Sequence, residues 1–243
     1  TQEALEMVQN GSALSTDAAT IVYNPTWNKG VVGIVASRLV EAFYKPTIVL
    51  TKSNGFITGS ARSVAGFDLY EAIESCADLL ENFGGHVYAA GLTLKEGNLE
   101  EFVGRIDKFI AGKITEEMLT PMTDIDAKLE FSQITPKFFR LLKQFQPFGP
   151  GNTNPVFLTE NVSDGGNGRK VGAGGVHMKL DLIDEKQPFH QIPAIAFNMA
   201  EFYDYIKAGN PFDICYSIVE NYYRGNTTLQ LRIKDIKERD EFI

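Results

Sequence analysis

Three short stretches of the sequence carry the glycines, hydroxyls and basic side chains that commonly bind phosphate. They are "WNKGVVG" from Trp27, "TGSARS" from Thr58 and "FGGHVYAAG" from Phe83. Glycines leave backbone amides accessible, and an arginine guanidinium can hold two phosphate oxygens at once. We therefore predict a phosphate site built from Asn28, Lys29, Gly59, Ser60, Arg62, Ser63, Gly84, Gly85 and His86.

Each stretch also has a plain structural interpretation. Asn28 is expected to cap the helix that follows it, and "TGSARS" is also typical of a polar turn with a surface arginine. Gly84 and Gly85 are expected to open a short helix, whose dipole favours an anion. Residues 89–91 are small enough to let that helix pack closely beneath. His86 then either contacts the anion or caps the helix.

The sequence gives no support for a metal site or for a catalytic nucleophile. The three histidines, His86, His177 and His190, lie in separate segments, and no pair has the spacing of metal ligands on a helix. No serine or cysteine lies in an elbow-like turn beside a histidine. We therefore predict neither catalytic nor metal-binding residues in this chain.

Composition limits the classes of protein. The chain has 243 residues, 44% of them hydrophobic, and a net charge of −8. That charge argues against a broad basic surface, so a polyanion would meet a local patch or backbone amides. We find no membrane-span pattern and no signal peptide. Cys76 and Cys215 lie in apolar segments and are interpreted as reduced core residues, which favours the cytoplasm.

The elements that position the phosphate motifs follow from the patterns around them. Residues 1–19 are expected to form the end of a helix and a polar loop, and residues 20–115 alternate strand and helix patterns. This alternation predicts an α/β domain. Within it, one helix is expected over "DLYEAIESCADLLENF", with Leu80 facing inward. Val31 and Ile34 are expected on the buried face of an earlier helix.

Residues 118–243 are mostly β. About six strand patterns with few helices predict a small closed barrel of the OB type. "DIDAKLEF" is expected to be its first strand, and "PFGPGN" a rigid turn. Phe138, Phe139 and Phe145 are expected to pack in a core or between domains.

The motifs together resemble a known family. "WNKGVVGIVASRLVEAFYKPTIVL", "GSARSVAGFDLYEAI" and "FGGHVYAAGLTL", in this order, resemble the DHHA1 domain of RecJ-type single-strand-specific exonucleases. "QPFGPGNTNPVF", "GVHMKLDL", "PAIAF" and "LQLRIKDI" resemble the OB domain that follows it in that family. The resemblance covers the chain from about residue 20. One departure is Asn28, where the family usually has histidine.

The resemblance implies a 5′-to-3′ exonuclease of DNA repair and recombination that degrades single-stranded DNA. The family holds Mn²⁺ or Mg²⁺ in a DHH domain that is not found in this sequence, so this chain alone is expected to be inactive. The helix at residues 1–10 is accordingly expected to continue from a preceding segment. The resemblance implies single-stranded DNA as the principal partner. A single-strand-binding protein and other repair proteins are further candidates, and no membrane partner is expected.

An OB barrel can stack bases on aromatic rings beside basic residues. Candidate contacts in this half are His177, Lys179, Tyr222, Tyr223 and Arg224. Tyrosines near a strand turn are more often partly buried packing residues. Two other functions remain open, a small-nucleotide phosphodiesterase and a non-enzymatic module whose OB half binds a protein.

Overall fold

The computed structural model describes residues 1–14, 18–149, 151–184, 187–223 and 225–239. It divides into two units, Thr1–Pro121 and Met122–Ile243, and each is described by itself. No helix in these ranges is long and apolar enough to cross a membrane.

The first unit is built on a five-stranded sheet. Its strands are β1 (Thr20–Tyr23), β2 (Thr47–Ser53), β3 (Phe56–Arg62), β4 (Leu80–His86) and β5 (Ala89–Leu94), in the spatial order β1-β2-β3-β5-β4. β1 and β2 are parallel and the other pairs are antiparallel. The described helices are α1 (Gln2–Gln9), α2 (Val32–Phe43), α3 (Leu69–Glu74) and α4 (Leu99–Lys113). This α/β architecture agrees with the sequence prediction.

The two faces of this sheet are covered unequally. Side chains alternate between faces along each strand, and Ile48 and Leu50 enter a core that includes residues of α3 and α4. Val22 and Val49 face the other way and pack with α2. On that second face, Gly84 and Gly91 at the far side of the sheet remain exposed. One face therefore leaves part of its strands open to solvent.

The third motif forms a β-hairpin, and the predicted helix there is wrong. α3 ends at Glu74, a 3₁₀ turn follows at Ala77–Leu79, and Leu80 lies on β4 paired with Leu94. The helical spacing of apolar residues continues past α3, but pairing with β5 determines the conformation from Leu80 onward. Gly84, Gly85 and His86 accordingly lie within a strand and do not start a helix.

The exposed face of α2 also differs from the prediction. Val31 and Ile34 are 45% and 61% exposed, whereas Val32, Val35 and Leu39 are buried. The exposed and the buried residues both fit the same apolar helical pattern. Only the inward side of α2 contacts the sheet, so Val31 and Ile34 stay exposed.

The second unit is a β-barrel. Its strands are β6 (Ala127–Lys128), β7 (Phe157–Asp164), β8 (Arg169–Val171), β9 (His177–Asp184), β10 (Gln187–Ala196), β11 (Phe212–Tyr223) and β12 (Asn226–Glu238). Helices α5 (Pro136–Lys143) and α6 (Tyr203–Lys207) lie between strands along the chain. The spatial order is β6-β7-β11-β12-β10-β9-β8, and β7 also pairs with β9. The pairings of β7, β11, β12, β10 and β9 therefore return to β7, in agreement with the predicted OB-like fold.

Several local expectations need adjustment. The strand predicted over "DIDAKLEF" is reduced to Ala127–Lys128. Cys76 and Cys215 are both free, but only Cys76 is buried, because Cys215 points outward between the buried Ile214 and Tyr216. Phe138 and Phe139 pack against the barrel core. Phe145 is 63% exposed because it follows the end of α5.

Candidate nucleic-acid interface

Strand register brings the second and third motifs together. Arg62 pairs with Ala89, which pairs with His86 across β5. Ser60 pairs with Gly91, which pairs in turn with Gly84. Directly paired residues of antiparallel strands share a face of the sheet. Arg62, Ser60 and His86 therefore stand around a strip of backbone that carries no side chains.

The start of α2 adds the first motif to this face. A Cβ on Gly33 would lie 3.1 Å from Arg62 Nη2 and 3.2 Å from Ser60 Oγ. The amides of Val32 and Gly33 belong to the first turn of α2, where no intrahelical acceptor exists. The positive end of the helix dipole thus lies beside the Arg62 guanidinium.

Arg62 is held in place with hydrogen-bonding capacity to spare. Its Nη1 donates to Ser60 Oγ at 2.9 Å and to the Ala61 carbonyl at 2.8 Å. The side chain is half-buried, and within the described part of the chain no carboxylate forms an ion pair with it. A guanidinium has five N–H donors, so its remaining donors and its uncompensated charge suit a phosphate.

His86 is exposed at the end of β4. Its Nδ1 accepts the Tyr88 backbone N–H at 3.3 Å, and the two rings meet edge to face with centroids 6.4 Å apart. With Nδ1 accepting, a neutral ring carries its proton on Nε2, which makes Nε2 a donor. The hairpin thus fixes the imidazole and leaves a donor for a ligand.

The glycines divide into two groups. Gly84 has no atom within 4 Å of the position of a Cβ, and Gly91 has only the Gly59 carbonyl oxygen at 3.8 Å. A Cβ on Gly85 would lie 2.2 Å from the Ala89 carbonyl oxygen, and one on Gly59 would lie 2.5 Å from Leu50 Cδ2. Packing within the unit therefore requires Gly59 and Gly85. Packing does not require glycine at positions 84 and 91. Because Gly84 and Gly91 carry no side chains, they leave an open strip of backbone on this face.

Two other predicted residues, Asn28 and Ser63, have local structural roles. The Oδ1 of Asn28 accepts the Gly30 N–H at 2.7 Å, and α2 begins only after its N-cap, Val31. Asn28 therefore caps a preceding turn, so its predicted role as N-cap is wrong. The Ser63 hydroxyl donates to the Phe67 carbonyl at 2.7 Å, which occupies its proton. Lys29 is exposed in the same loop as Asn28.

The barrel candidates do not form one cluster. Lys179 pairs with Ile195, which pairs with Arg232 on β12. Tyr222 is 74% exposed and pairs with Thr227, five positions earlier on β12 than Arg232. The Tyr223 side chain and Arg224 lie outside the described residues. The His177 imidazole Nδ1 accepts the Asn198 N–H at 3.0 Å.

Compared with the donor sets that metal ions require, the described side chains form no such set. Within the described ranges, no group of three or more His, Cys, Asp or Glu side chains could hold a metal ion. The described residues therefore do not fit the Mg²⁺ or Mn²⁺ that the resemblance implies, and no chemical step is derived through such an ion.

Sequence reasoning missed two residues of this face. Gly33 and Gly91 lie inside the quoted motifs, but only the packing of α2 on β3 and the pairing of β4 with β5 assign them to the site. Glycines at non-turn positions in a strand or helix were the available signal.

Comparisons with known proteins agree with this architecture. Residues 16–112 match the DHHA1 domain, and residues 125–235 match the RecJ OB domain. A solved structure of RecJ from Thermus thermophilus in complex with Mg²⁺ superposes with a TM-score of 0.72 at 24% identity. That superposition covers 98% of this chain and 36% of the other. The fold and the two matches define the chain as a DHHA1 domain followed by an OB domain.

Curated relatives give the family. The chain is 36% identical over 239 residues to the single-stranded-DNA-specific exonuclease RecJ of Bacillus subtilis, covering 97% of this chain and 29% of that protein. Against the RecJ of Haemophilus influenzae, identity is 30% over 98% of this chain and 42% of the other. The chain belongs to the RecJ family. It spans only 29% and 42% of the length of these two relatives.

Proposed function

We propose that this chain binds single-stranded DNA through the open face of its first unit. It supplies this binding to a metal-dependent exonuclease that degrades single strands from 5′ to 3′ in DNA repair and recombination. The location that fits this role is the cytoplasm. Single-stranded DNA is the principal partner, and a single-strand-binding protein and other repair proteins are further candidates.

One observation carries the proposal. Arg62, Ser60 and the start of α2 lie on one face beside the open strip at Gly84 and Gly91. A sugar-phosphate backbone can approach such a strip closely, because no side chain stands in its path. The Arg62 guanidinium then receives a phosphate, and the His86 Nε2–H reaches a neighbouring phosphate or base.

In this proposal, other parts of the enzyme catalyse the hydrolysis of the DNA. The Mg²⁺ and Mn²⁺ named for the Thermus thermophilus structures support the use of a divalent ion by that relative. The described residues here offer no metal site. This chain by itself is therefore expected to bind single strands without cleaving them.

A double variant, Arg62→Ala with His86→Ala, tests the proposal. Loss of a charge-assisted phosphate contact costs about 1.5–3 kcal/mol, so single-strand binding should weaken by about tenfold or more. Fluorescence anisotropy with a labelled oligonucleotide measures the change. Arg105→Ala is the matched control, because Arg105 lies on α4 against the opposite side of the sheet and already pairs with Asp78 at 2.6 Å. Binding by the double variant equal to that of the parent would overturn the proposal.

The phosphodiesterase alternative makes a different prediction. Such an enzyme would prefer dinucleotides to longer strands, and competition between the two in the same titration separates the functions. The match to a RecJ OB domain over residues 125–235 favours the longer strand.

A further inference from the structure

A carboxylate of α1 holds the loop that leads to the phosphate site of the first unit. The Oε2 of Glu3 accepts the indole Nε1–H of Trp27 at 2.7 Å, and its Oε1 accepts an amide Nδ2–H of Asn24 at 3.1 Å. Asn24 and Trp27 lie 21 and 24 positions further along the chain, between β1 and α2. We call residues 24–31 the entry loop, because it ends at Val31, the N-cap of α2.

The entry loop itself determines which way the Asn24 amide points. The Oδ1 of Asn24 accepts the Thr26 backbone N–H at 2.9 Å and the Thr26 hydroxyl at 2.7 Å. Its Nδ2 therefore faces Glu3 as a donor, and the Trp27 indole can only donate. A carboxylate offers one acceptor oxygen to each of these donors. A glutamine at position 3 would turn its NH₂ group towards one of them, so it could satisfy only the other.

Trp27 connects the entry loop to the core of the first unit. Its partly buried side chain packs against the cluster that contains Ala4 of α1 and Val35 of α2. The Trp27 carbonyl accepts the hydroxyl of Thr51 at 2.6 Å, and Thr51 is fully buried on β2. Glu3 adds the hydrogen bond at the indole N–H. Trp27 is thus held at its backbone, by ring packing and at the polar edge of its ring.

The entry loop transmits this constraint to the start of α2. Trp27 is followed by a turn in which the Asn28 carbonyl accepts the Val31 N–H at 3.1 Å, and α2 begins directly after Val31. In the first turn of α2, a Cβ on Gly33 would lie 3.1 Å from Arg62 Nη2. A shift of the entry loop would therefore move the start of α2 relative to the Arg62 guanidinium.

We propose that Glu3 is a positioning residue for single-strand binding, which acts through Trp27 and the entry loop on the start of α2. The inference rests on the proposed function, which supplies the ligand and the Arg62 site. Glu3 does not contact the DNA itself, because a carboxylate and a phosphate repel each other. Its contribution is to keep the entry loop in the position that binds, since the apparent affinity scales with the fraction of molecules in that position.

The negative charge of Glu3 separates positioning from a general electrostatic effect. Removal of one carboxylate from a chain of net charge −8 by itself favours the binding of a polyanion. Weaker binding after loss of the Glu3 charge is therefore opposite in sign to the general effect. Glu6 provides the matched control, because it is an exposed glutamate of the same helix whose Oε1 accepts the Gln2 amide of α1 itself at 3.0 Å.

The test compares Glu3→Gln with Glu6→Gln in the whole chain. In an anisotropy titration with a labelled single strand, Glu3→Gln should bind about threefold to tenfold more weakly than the parent, because fewer molecules hold the entry loop in position. Glu6→Gln should bind at least as well as the parent. Trp27 is the single tryptophan of the chain, so quenching of its fluorescence by acrylamide reports on the entry loop. Quenching should increase in Glu3→Gln and stay unchanged in Glu6→Gln.

A double-mutant cycle tests whether Glu3 acts through Trp27. Trp27→Phe keeps an aromatic ring in the apolar cluster and removes the indole N–H, so it should weaken single-strand binding in the same direction as Glu3→Gln. With Phe at position 27, a glutamine at position 3 still accepts from Asn24, and its addition should weaken binding less than it does in the parent. Thus the two substitutions should be non-additive.

The outcomes separate this inference from the proposed function. If the parent binds single strands and Glu3→Gln binds as Glu6→Gln does, the inference is overturned and the Arg62 site is left intact. Weaker binding by Glu3→Gln with unchanged quenching of Trp27 also overturns the inference, because the entry loop has then kept its position. Fully additive effects in the cycle overturn it as well. Absence of single-strand binding by the parent at low salt overturns the proposed function and the inference together.

Discussion

Replacing Gly84 by valine should stabilise the first unit and weaken its DNA binding. A Cβ at Gly84 meets no atom within 4 Å, and a strand interior favours a β-branched residue over glycine. Removing a strand glycine gains roughly 0.5–1 kcal/mol, which corresponds to a melting temperature about 2–6 °C higher. The valine side chain would fill the strip beside Ser60 and Arg62. Displacing a phosphate from Arg62 costs about 1.5–3 kcal/mol, or about tenfold to a hundredfold in affinity.

Thermal unfolding and anisotropy titration of the same preparation measure both effects. Gly104→Ala is the matched control, because Gly104 is an exposed residue of α4 with nothing within 4 Å of a Cβ. It should gain about 1 kcal/mol through helix propensity and leave DNA binding unchanged. If Gly84→Val is as stable as expected and binds single strands like the parent, the open strip takes no part in binding.

Two further predictions concern stability alone. Gly85→Ala should lower the melting temperature by roughly 10 °C, because its Cβ would lie 2.2 Å from the Ala89 carbonyl oxygen and would force β4 away from β5; an unchanged melting curve would contradict the hairpin geometry. Burial raises the pKa of Tyr216 to about 12, although the Thr159 hydroxyl bonded to it at 2.8 Å opposes the shift. Since the unfolded tyrosine ionises first, the free energy of unfolding should fall by up to about 1.4 kcal/mol per pH unit between pH ~10 and the folded pKa of about 12. Denaturant titrations should show a smaller fall for Tyr216→Phe, and an equal fall would exclude Tyr216 as its source.

The sequence motifs predicted the phosphate-type residues, but their relative positions came from the structure. Apolar periodicity is local, so it identified the main helices and strands around the motifs. The apolar pattern of α3 continues into β4, so periodicity did not show where the helix ends. The apolar side chain of Leu80 fits a helix and a strand equally well. The pairing of β4 with β5 overrides the helical spacing, which is why Gly84 and His86 lie on a strand.

The sequence also did not predict which residues of neighbouring strands pair with each other. Phe197 and Arg232 are separated by 35 positions, and the parallel pairing of β10 with β12 brings them together. The aromatic residues chosen from sequence, Tyr222 and Tyr223, were selected for their position near a turn. No periodic signal connects Lys179 to Arg232, because a single strand pattern does not specify its neighbours.

The most direct test of single-strand binding by this chain is an anisotropy titration with a labelled single strand and the matching duplex at two salt concentrations. We predict binding selective for the single strand that weakens steeply as salt increases, because phosphate contacts release counterions. Equal affinity for the duplex, or absence of single-strand binding at low salt, would contradict the claim that this chain supplies single-strand binding.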